Sequence, residues 1–219
     1  MGHHLLVAWA ALGLALPVAA AEVEGQVRVL AADGGQIPAG QPIVVYLTGF
    51  RQPPPPEAPV VSQKDKTFIP SLRVIVAGQS VQFTNDDPVV HNVFSTSAAR
   101  NFDLGKPGPH QTREVSFPTP GLVDVYCNIH EAMFANILVL PNRAFALVGE
   151  QGRFVIRDVP PGRYPLHAWG RSIEPFEVEV TVSAGKPTSV EMVLHPRVFN
   201  PAHLDKFGRP YRARAGYTP

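Results

Sequence analysis

The chain has only one cysteine, Cys127, among its 219 residues, so no disulfide can form within it. Charged residues are also few, at 17%, and 19 basic against 18 acidic side chains leave a net charge of +1. Such a balance does not suggest a nucleic-acid-binding protein. The chain carries no internal repeats, and beyond residue 21 it has no apolar run long enough to span a bilayer as a helix.

The small positive charge is concentrated at the C-terminus. Residues 196–219 contain one acidic residue, Asp205, and five basic residues, for a net of +4, whereas the rest of the chain has a net of −3. This region shows no periodic pattern, and we expect a flexible basic tail. The basic residues are Arg197, Lys206, Arg209, Arg212 and Arg214.

Proline and glycine are abundant, with 24 and 18 residues. They separate many short Val, Ile and Phe runs, which favours strands and turns over helices. With 45% hydrophobic residues the chain can bury a core, and the predicted fold class is all-β. Predicted strands include Val23–Leu30, Pro42–Thr48, Val74–Val76, Ser80–Thr84, Asn92–Ser95, Arg113–Phe117, Gly121–Tyr126, Asn136–Leu140, Phe145–Gly149, Arg153–Arg157, Pro165–Trp169, Glu174–Val182 and Thr188–Leu194.

The N-terminus predicts export. Residues 5–21 are almost continuously apolar and end in Ala19-Ala20-Ala21, so residues 1–21 are typical of a signal peptide cleaved before Glu22, although Lys and Arg are missing before the apolar run. The alternative is a retained N-terminal anchor. We expect a periplasmic protein with no membrane span in the mature chain. A lone thiol in such an oxidising compartment is a liability unless it is buried or ligated.

The segment 126–133 (YCNIHEAM) indicates that this thiol binds a metal ion. It presents Cys127, then His130 three residues later, then Met133 after three more, and a further imidazole, His91, lies upstream. Two imidazoles, one thiolate and a weak thioether form the ligand set of a blue-copper electron-transfer site. Zinc is the weaker alternative, because it has no use for a methionine.

Each ligand type has a reason in this chemistry. Thiolate and thioether are soft donors that favour Cu(I), whereas imidazole accepts both oxidation states. Ligands held by a rigid sheet rearrange little when an electron arrives. A backbone N–H near Asn92 is placed to donate a hydrogen bond to the sulfur and so tune the potential.

Residues 60–140 resemble the cupredoxins, most closely their amicyanin-like branch. The resemblance implies a cupredoxin Greek-key β-sandwich holding one mononuclear type 1 copper. It also implies that His91, Cys127, His130 and Met133 are the metal ligands. Asn92 would lie next to these ligands without binding the metal itself. Glu131 is a departure, since such loops often carry proline there. The matching motifs are Phe68-Ile69-Pro70, Val81-Gln82-Phe83-Thr84-Asn85, His91-Asn92-Val93 and Cys-x2-His-x2-Met.

Two other copper sites are excluded by the sequence. A dinuclear purple centre needs two cysteines, and the chain has one. A multicopper oxidase normally flanks its cysteine with histidines that reach further metals, but Tyr126 and Asn128 flank Cys127. We therefore expect a redox carrier with no catalytic residues rather than an enzyme.

The rest of the chain resembles a second, smaller sandwich of the carboxypeptidase regulatory-like (prealbumin-type) family. We expect the cupredoxin domain to be inserted into it; tandem domains are the alternative. The motifs are Gly25-Gln26-Val27, Ile43-Val44-Val45-Tyr46-Leu47, Gly152-Arg153-Phe154 and Pro160-Pro161-Gly162-Arg163-Tyr164. The expected division is 1–21 signal peptide, 22–52 first strands of the smaller sandwich, 60–141 cupredoxin domain, 142–195 remaining strands and 196–219 tail.

The function predicted from these observations is a periplasmic type 1 copper protein that transfers single electrons between redox partner proteins. One alternative is a copper-binding or copper-sequestering module, or an envelope-associated one, without an electron-transfer role. Another is an adhesion-like structural protein whose cupredoxin domain holds no metal.

Overall fold

A computed structural model describes residues 21–30, 41–200 and 202–211. These residues form sixteen strands and one short 3₁₀ turn, Glu150–Gly152, and contain no α-helix. The all-β prediction is confirmed. None of the helical structure in this part of the chain is long and apolar enough to cross a membrane. The predicted signal peptide, apart from Ala21, and the end of the tail after residue 211 lie outside the described residues.

The strands run in chain order through two sandwiches. The first two are β1 (Ala21–Val29) and β2 (Val44–Leu47). The next nine are β3 (Val60–Lys64), β4 (Thr67–Ile69), β5 (Leu72–Val76), β6 (Ser80–Asn85), β7 (Phe94–Ser97), β8 (Arg100–Asp103), β9 (Thr112–Ser116), β10 (Gly121–Tyr126) and β11 (Phe134–Leu140). The last five are β12 (Phe145–Leu147), β13 (Arg153–Val159), β14 (Gly162–Trp169), β15 (Phe176–Val182) and β16 (Thr188–Leu194).

Strands β3 to β11 form what we call the site sandwich. One sheet has the order β4-β3-β6-β9 and the other β5-β11-β10-β7-β8. Val81, Phe83 and Asn85 alternate with less buried residues along β6, the period-two pattern of a strand with one face in a core. Between the sheets lies one apolar cluster, which includes Val61, Phe68, Val81, Phe83, Val93, Phe117, Val123, Val125, Cys127, Met133, Ala135 and Ile137.

The other strands form the companion sandwich, whose sheets have the orders β13-β1-β16 and β12-β2-β14-β15. β1 pairs antiparallel with β13 and parallel with β16. Gly25 is required in β1, because a Cβ there would lie 1.8 Å from the carbonyl oxygen of Val190. The strands on either side of the site sandwich in the sequence therefore share the same sheets.

A separate apolar cluster joins the two sandwiches. Leu138 and Leu140 of β11 pack with Val44 of β2 on the side away from the site sandwich core. Six of the seven residues of β11 are consequently buried, which explains the continuous apolar run at its end. Partly buried side chains complete this junction: Tyr46, Leu72, Val74, Leu122, Phe145 and Trp169.

Three strands were not predicted from the sequence. β3 and β4 are short and are joined by a tight turn at Asp65 and Lys66, both with positive φ. β8 has the polar sequence RNFD and is largely exposed. Its strand conformation comes from pairing with β7, a tertiary contact that overrides its weak local preference.

The two chain crossings between the sandwiches lie side by side. The backbone N–H of Gln52, at the start of the proline-rich segment, donates to Pro141 O at 3.1 Å. Asn142 is fully buried at the second crossing. Its Nδ2 donates to Leu47 O and Phe50 O at 3.1 and 3.0 Å, and its Oδ1 accepts from the Ala144 N–H at 2.9 Å.

We predict that Asn142→Ala lowers the free energy of unfolding by about 3 kcal/mol, because three buried hydrogen bonds are lost at once. Urea denaturation followed by circular dichroism measures the change. Asn101→Ala, at an exposed position of β8, is the matched control and should change stability by less than about 0.5 kcal/mol. Equal midpoints for the two variants would contradict this role of Asn142.

Candidate metal centre

Two loops at one end of the site sandwich carry the predicted ligands. His91 lies in the loop 86–93, which leaves β6 in one sheet and enters β7 in the other. Cys127, His130 and Met133 lie in the loop 127–133, which we call the site loop and which joins the neighbouring strands β10 and β11. The loop 86–93 therefore brings its histidine across from the opposite sheet.

Three of the four predicted ligands meet at one point. One ligand atom from each of His91, Cys127 and His130 lies within 4.8 Å of the others. The Nδ1 atoms of the two histidines are 3.0 Å apart, and Cys127 Sγ is 3.8 Å from His130 Nδ1. His91 and Cys127 are fully buried and His130 is half-buried. One soft sulfur and two borderline nitrogen donors thus face one small volume.

Met133 closes the site loop. Its N–H donates to His130 O at 3.1 Å, and its carbonyl accepts from the Cys127 N–H at 3.3 Å. The Met133 side chain is 1% exposed and belongs to the same apolar cluster as Cys127. The predicted thioether ligand is therefore held inside the sandwich and away from water.

Two backbone N–H groups point at the sulfur. Asn92 N lies 3.5 Å and Ile129 N 3.4 Å from Cys127 Sγ. The first is the donor that the sequence places near Asn92, and the second comes from the site loop itself. Two such donors stabilise negative charge on sulfur, because each presents its positive end to the thiolate.

Asp87 fixes the orientation of His91, a role that the sequence analysis did not find. Its Oδ2 lies 2.7 Å from His91 Nε2, so the imidazole carries its proton on Nε2 and leaves Nδ1 free to bind a metal. Burial raises the pKa of the Asp87 carboxyl, but hydrogen bonds from Lys66 N, His91 and Asp65 N outweigh this and lower it overall. Asp87 therefore remains a carboxylate.

Asp87 is itself held by a polar network. Asn85 Oδ1 accepts from the Asp87 N–H at 3.1 Å, and Asn85 Nδ2 donates to Val89 O and Pro107 O. Asn85 and Asp87 are both buried. The only sequence signal was the polar run Asn85-Asp86-Asp87 directly after a buried strand, which also fits an ordinary turn.

The Asn92 side chain ties its loop to the next hairpin. Its Nδ2 donates to Asp103 Oδ1 at 2.8 Å and to Gly105 O at 2.5 Å. Asp103 Oδ1 also accepts from the Gly105 N–H at 3.0 Å. The residue whose N–H faces the sulfur is thus fixed through its side chain as well.

The C-terminal segment, defined as residues 197–200 and 202–211, contacts the site loop. It contains no helix or strand, yet the Tyr211 hydroxyl donates to Cys127 O at 2.8 Å, and the His203 ring stacks on Tyr126 with centroids 4.0 Å apart. Burial, with the nearby Asp124 charge, raises the pKa of Tyr126 to about 12. Burial also raises the pKa of Tyr211, so both hydroxyls keep their protons at neutral pH.

No protein-family profile and no curated protein sequence matches the chain. Solved structures to which it is similar include the copper-containing nitrite reductase NirK from Thermus scotoductus SA-01, at 24% identity over 39% of this chain and 23% of the reductase, with a TM-score of 0.37. The novel purple cupredoxin from Nitrosopumilus maritimus matches at 22% identity over 37% of this chain and 98% of its own, with a TM-score of 0.34. A Cu(I) mutant of amicyanin matches at 16% identity over 43% and 97%, with a TM-score of 0.36. This chain spans less than a quarter of the reductase.

Asp87→Asn should weaken metal binding. The change removes the charge that polarises His91, and losing such a partner typically costs about 10- to 100-fold in metal affinity. Competition against a chelator of known affinity, with Cu(II), measures the dissociation constant. The control is Asp86→Asn, because the Asp86 carboxylate accepts from Ser62 Oγ and Thr84 Oγ1, whereas the carboxylate bonded to His91 is that of Asp87. If both variants bind Cu(II) as the wild type does, Asp87 does not support the site.

Proposed function

We propose that the chain is a mononuclear type 1 copper protein that transfers single electrons between redox partner proteins. His91, Cys127, His130 and Met133 would hold the metal. The observation that carries the proposal is the convergence of two imidazole nitrogens and one thiol sulfur within 4.8 Å. Met133, on the same loop as Cys127 and His130, is buried. Two histidines and a cysteine with a weak axial methionine are the donor set of electron-transfer copper sites.

The residues present fit copper better than zinc. Structural zinc sites use four cysteine or histidine donors, whereas the fourth predicted ligand here is the thioether of the buried Met133. A thioether binds Cu(I) well and contributes little to zinc binding. The Nδ1 atoms of His91 and His130 face each other, and the Nε2 proton of His91 is engaged by Asp87.

Bound copper would supply a one-electron couple, and the protein would hold its ligands still between the two oxidation states. His91 is fixed by Asp87, the Cys127 sulfur by the N–H groups of Asn92 and Ile129, and Met133 by its backbone bonds within the site loop. Small rearrangement on electron transfer lowers the barrier for exchange. Four protein ligands in a buried site also leave no open position for a substrate, which favours a carrier over an enzyme.

His130 is the ligand through which we propose that electrons enter and leave. It is half-buried, whereas Cys127, His91 and Met133 are buried. The valines Val89 and Val90 expose about two fifths of their surface on the other loop of this end, and Glu131 next to His130 is exposed. A redox partner would approach this end of the site sandwich.

The domain organisation and location form part of the same proposal. We propose that residues 60–141 are inserted into the companion sandwich, because β1 and β2 pair with β12, β13, β14 and β16, and because the crossings at Gln52 and Pro141 are hydrogen-bonded to each other. The N-terminal residues 1–21 would act as a signal peptide, which would place the mature protein in the periplasm.

Adding Cu(II) to the metal-free protein should produce an intense visible absorption from thiolate-to-copper charge transfer, which bleaches on reduction and returns on oxidation. Cys127→Ser should abolish the band while circular dichroism shows the fold retained, because a hydroxyl does not supply a soft thiolate donor. A colourless wild-type complex would rule out a type 1 site. Tight Cu(I) binding without a reversible potential would indicate a copper-sequestering protein instead.

Met133→Leu tests whether the thioether of Met133 would be a metal ligand. We expect the charge-transfer band to survive and the reduction potential to rise, because leucine replaces a donor with an apolar group, and fewer donors in more apolar surroundings disfavour the more highly charged Cu(II). A rise of about 59 mV corresponds to a tenfold shift of a one-electron couple. Voltammetry of the copper-loaded protein measures it. Met192→Leu, at a fully buried position of the companion sandwich, is the control and should leave the potential unchanged; equal potentials in both variants would remove Met133 from the ligand set.

A further inference from the structure

Two residues of the C-terminal segment, Lys206 and Tyr211, make polar contacts around the metal centre. The Lys206 N–H donates to Asn128 Oδ1 at 2.8 Å, and the Tyr211 hydroxyl donates to Cys127 O at 2.8 Å. Lys206 Nζ lies 2.5 Å from Asp103 Oδ2. These contacts join positions 78 to 103 residues apart in the chain.

The first two contacts hold the start of the site loop. Cys127 and Asn128 directly precede Ile129, whose N–H is 3.4 Å from Cys127 Sγ. Fixing the carbonyl of Cys127 and the side chain of Asn128 fixes the peptide units that lead to this N–H. The direction of one sulfur hydrogen bond therefore depends on Tyr211 and on the backbone of Lys206.

The third contact, between Lys206 and Asp103, acts on the hydrogen bond from the Asn92 N–H to the Cys127 sulfur. Asp103 accepts from Lys206 through one carboxylate oxygen and from Asn92 Nδ2 through the other. The Asn92 N–H is the second donor to Cys127 Sγ. The Lys206 side chain is 21% exposed and that of Asp103 40% exposed, so the ion pair is partly shielded from solvent and contributes more than a fully exposed pair.

Aromatic packing holds the C-terminal segment in this place. Tyr126 lies between the rings of Phe134 and His203, at centroid distances of 5.1 and 4.0 Å. Phe199 stacks on Phe134 at 5.7 Å, and the Arg171 guanidinium lies 3.9 Å from the Phe134 ring centroid. Stacked rings and a cation over a ring each add to the area that is buried.

We propose that Lys206 and Tyr211 are positioning residues of the metal centre, which hold the Asn92 and Ile129 N–H groups on the Cys127 sulfur and thereby set the redox potential. The inference rests on the proposed copper site. N–H groups bonded to a thiolate withdraw electron density from it, so the oxidised metal is less well stabilised and the potential is higher. Loosening the donors should therefore lower the potential.

The test uses the full-length, copper-loaded protein and the variants Lys206→Met, Tyr211→Phe and the double variant. We expect each single variant to lower the potential and the double variant to shift the Cu(II)/Cu(I) equilibrium about tenfold toward Cu(II), which is about 59 mV for one electron. The charge-transfer band should move in the same variants. Lys186→Met, in an exposed turn of the companion sandwich, and Tyr164→Phe, whose hydroxyl donates to Pro161 O, are the matched controls and should leave both quantities unchanged.

A second measurement does not depend on copper. In the metal-free protein, amide hydrogen exchange at Asn92 and Ile129 should be about tenfold faster in the double variant than in the wild type or the two controls, since local opening becomes easier. Wild-type potential and wild-type exchange in the double variant would refute the positioning role. A wild-type protein without a charge-transfer band would instead refute the proposed function, and the exchange measurement would still decide whether the C-terminal segment holds the two donors.

Discussion

Two imidazole nitrogens and a sulfur are kept together, largely out of water, where two loops from opposite sheets meet. Polar atoms in such a place are costly unless each has a partner. His91 uses its second nitrogen on Asp87, and Cys127 receives two backbone N–H groups. One donor atom from each of His91, Cys127 and His130 lies within 4.8 Å of the others, so the three side chains enclose one small polar space.

This constraint explains why buried polar side chains lie at the end of β6 and in the loop that follows it. Asn85, Asp87 and Asn92 are each at most 5% exposed, and each bonds to backbone or side chains of neighbouring loops. A loop without regular pairing needs side chains to satisfy its backbone groups. The same side chains orient the histidine, so the stability of the loop and the geometry of the site depend on the same bonds.

The candidate ligands and the loops that carry them could be predicted from the sequence, whereas the residues that hold those ligands in place could not. Cys127, His130 and Met133 lie within seven residues, and alternating strands such as β6 and β10 predict where the loops leave the sheets. Asp87 could not be assigned, because an aspartate before a proline is also an ordinary turn former. Lys206 and Tyr211 could not be found either, since their contacts with Asp103 and Cys127 span 103 and 84 residues and leave no periodic signal.

Tyr126 and Phe134, the residues on either side of the site loop, connect the metal centre to the rest of the molecule. Tyr126 and Phe134 face each other as the last register pair of β10 and β11, and their rings stack. On one side β11 continues into the junction, where Leu138 and Leu140 pack on Val44 of the companion sandwich. On the other side His203 and Phe199 cover the same two rings. The site loop is thus fixed at its base by both the companion sandwich and the C-terminal segment, so a displacement of either acts on the same ligands.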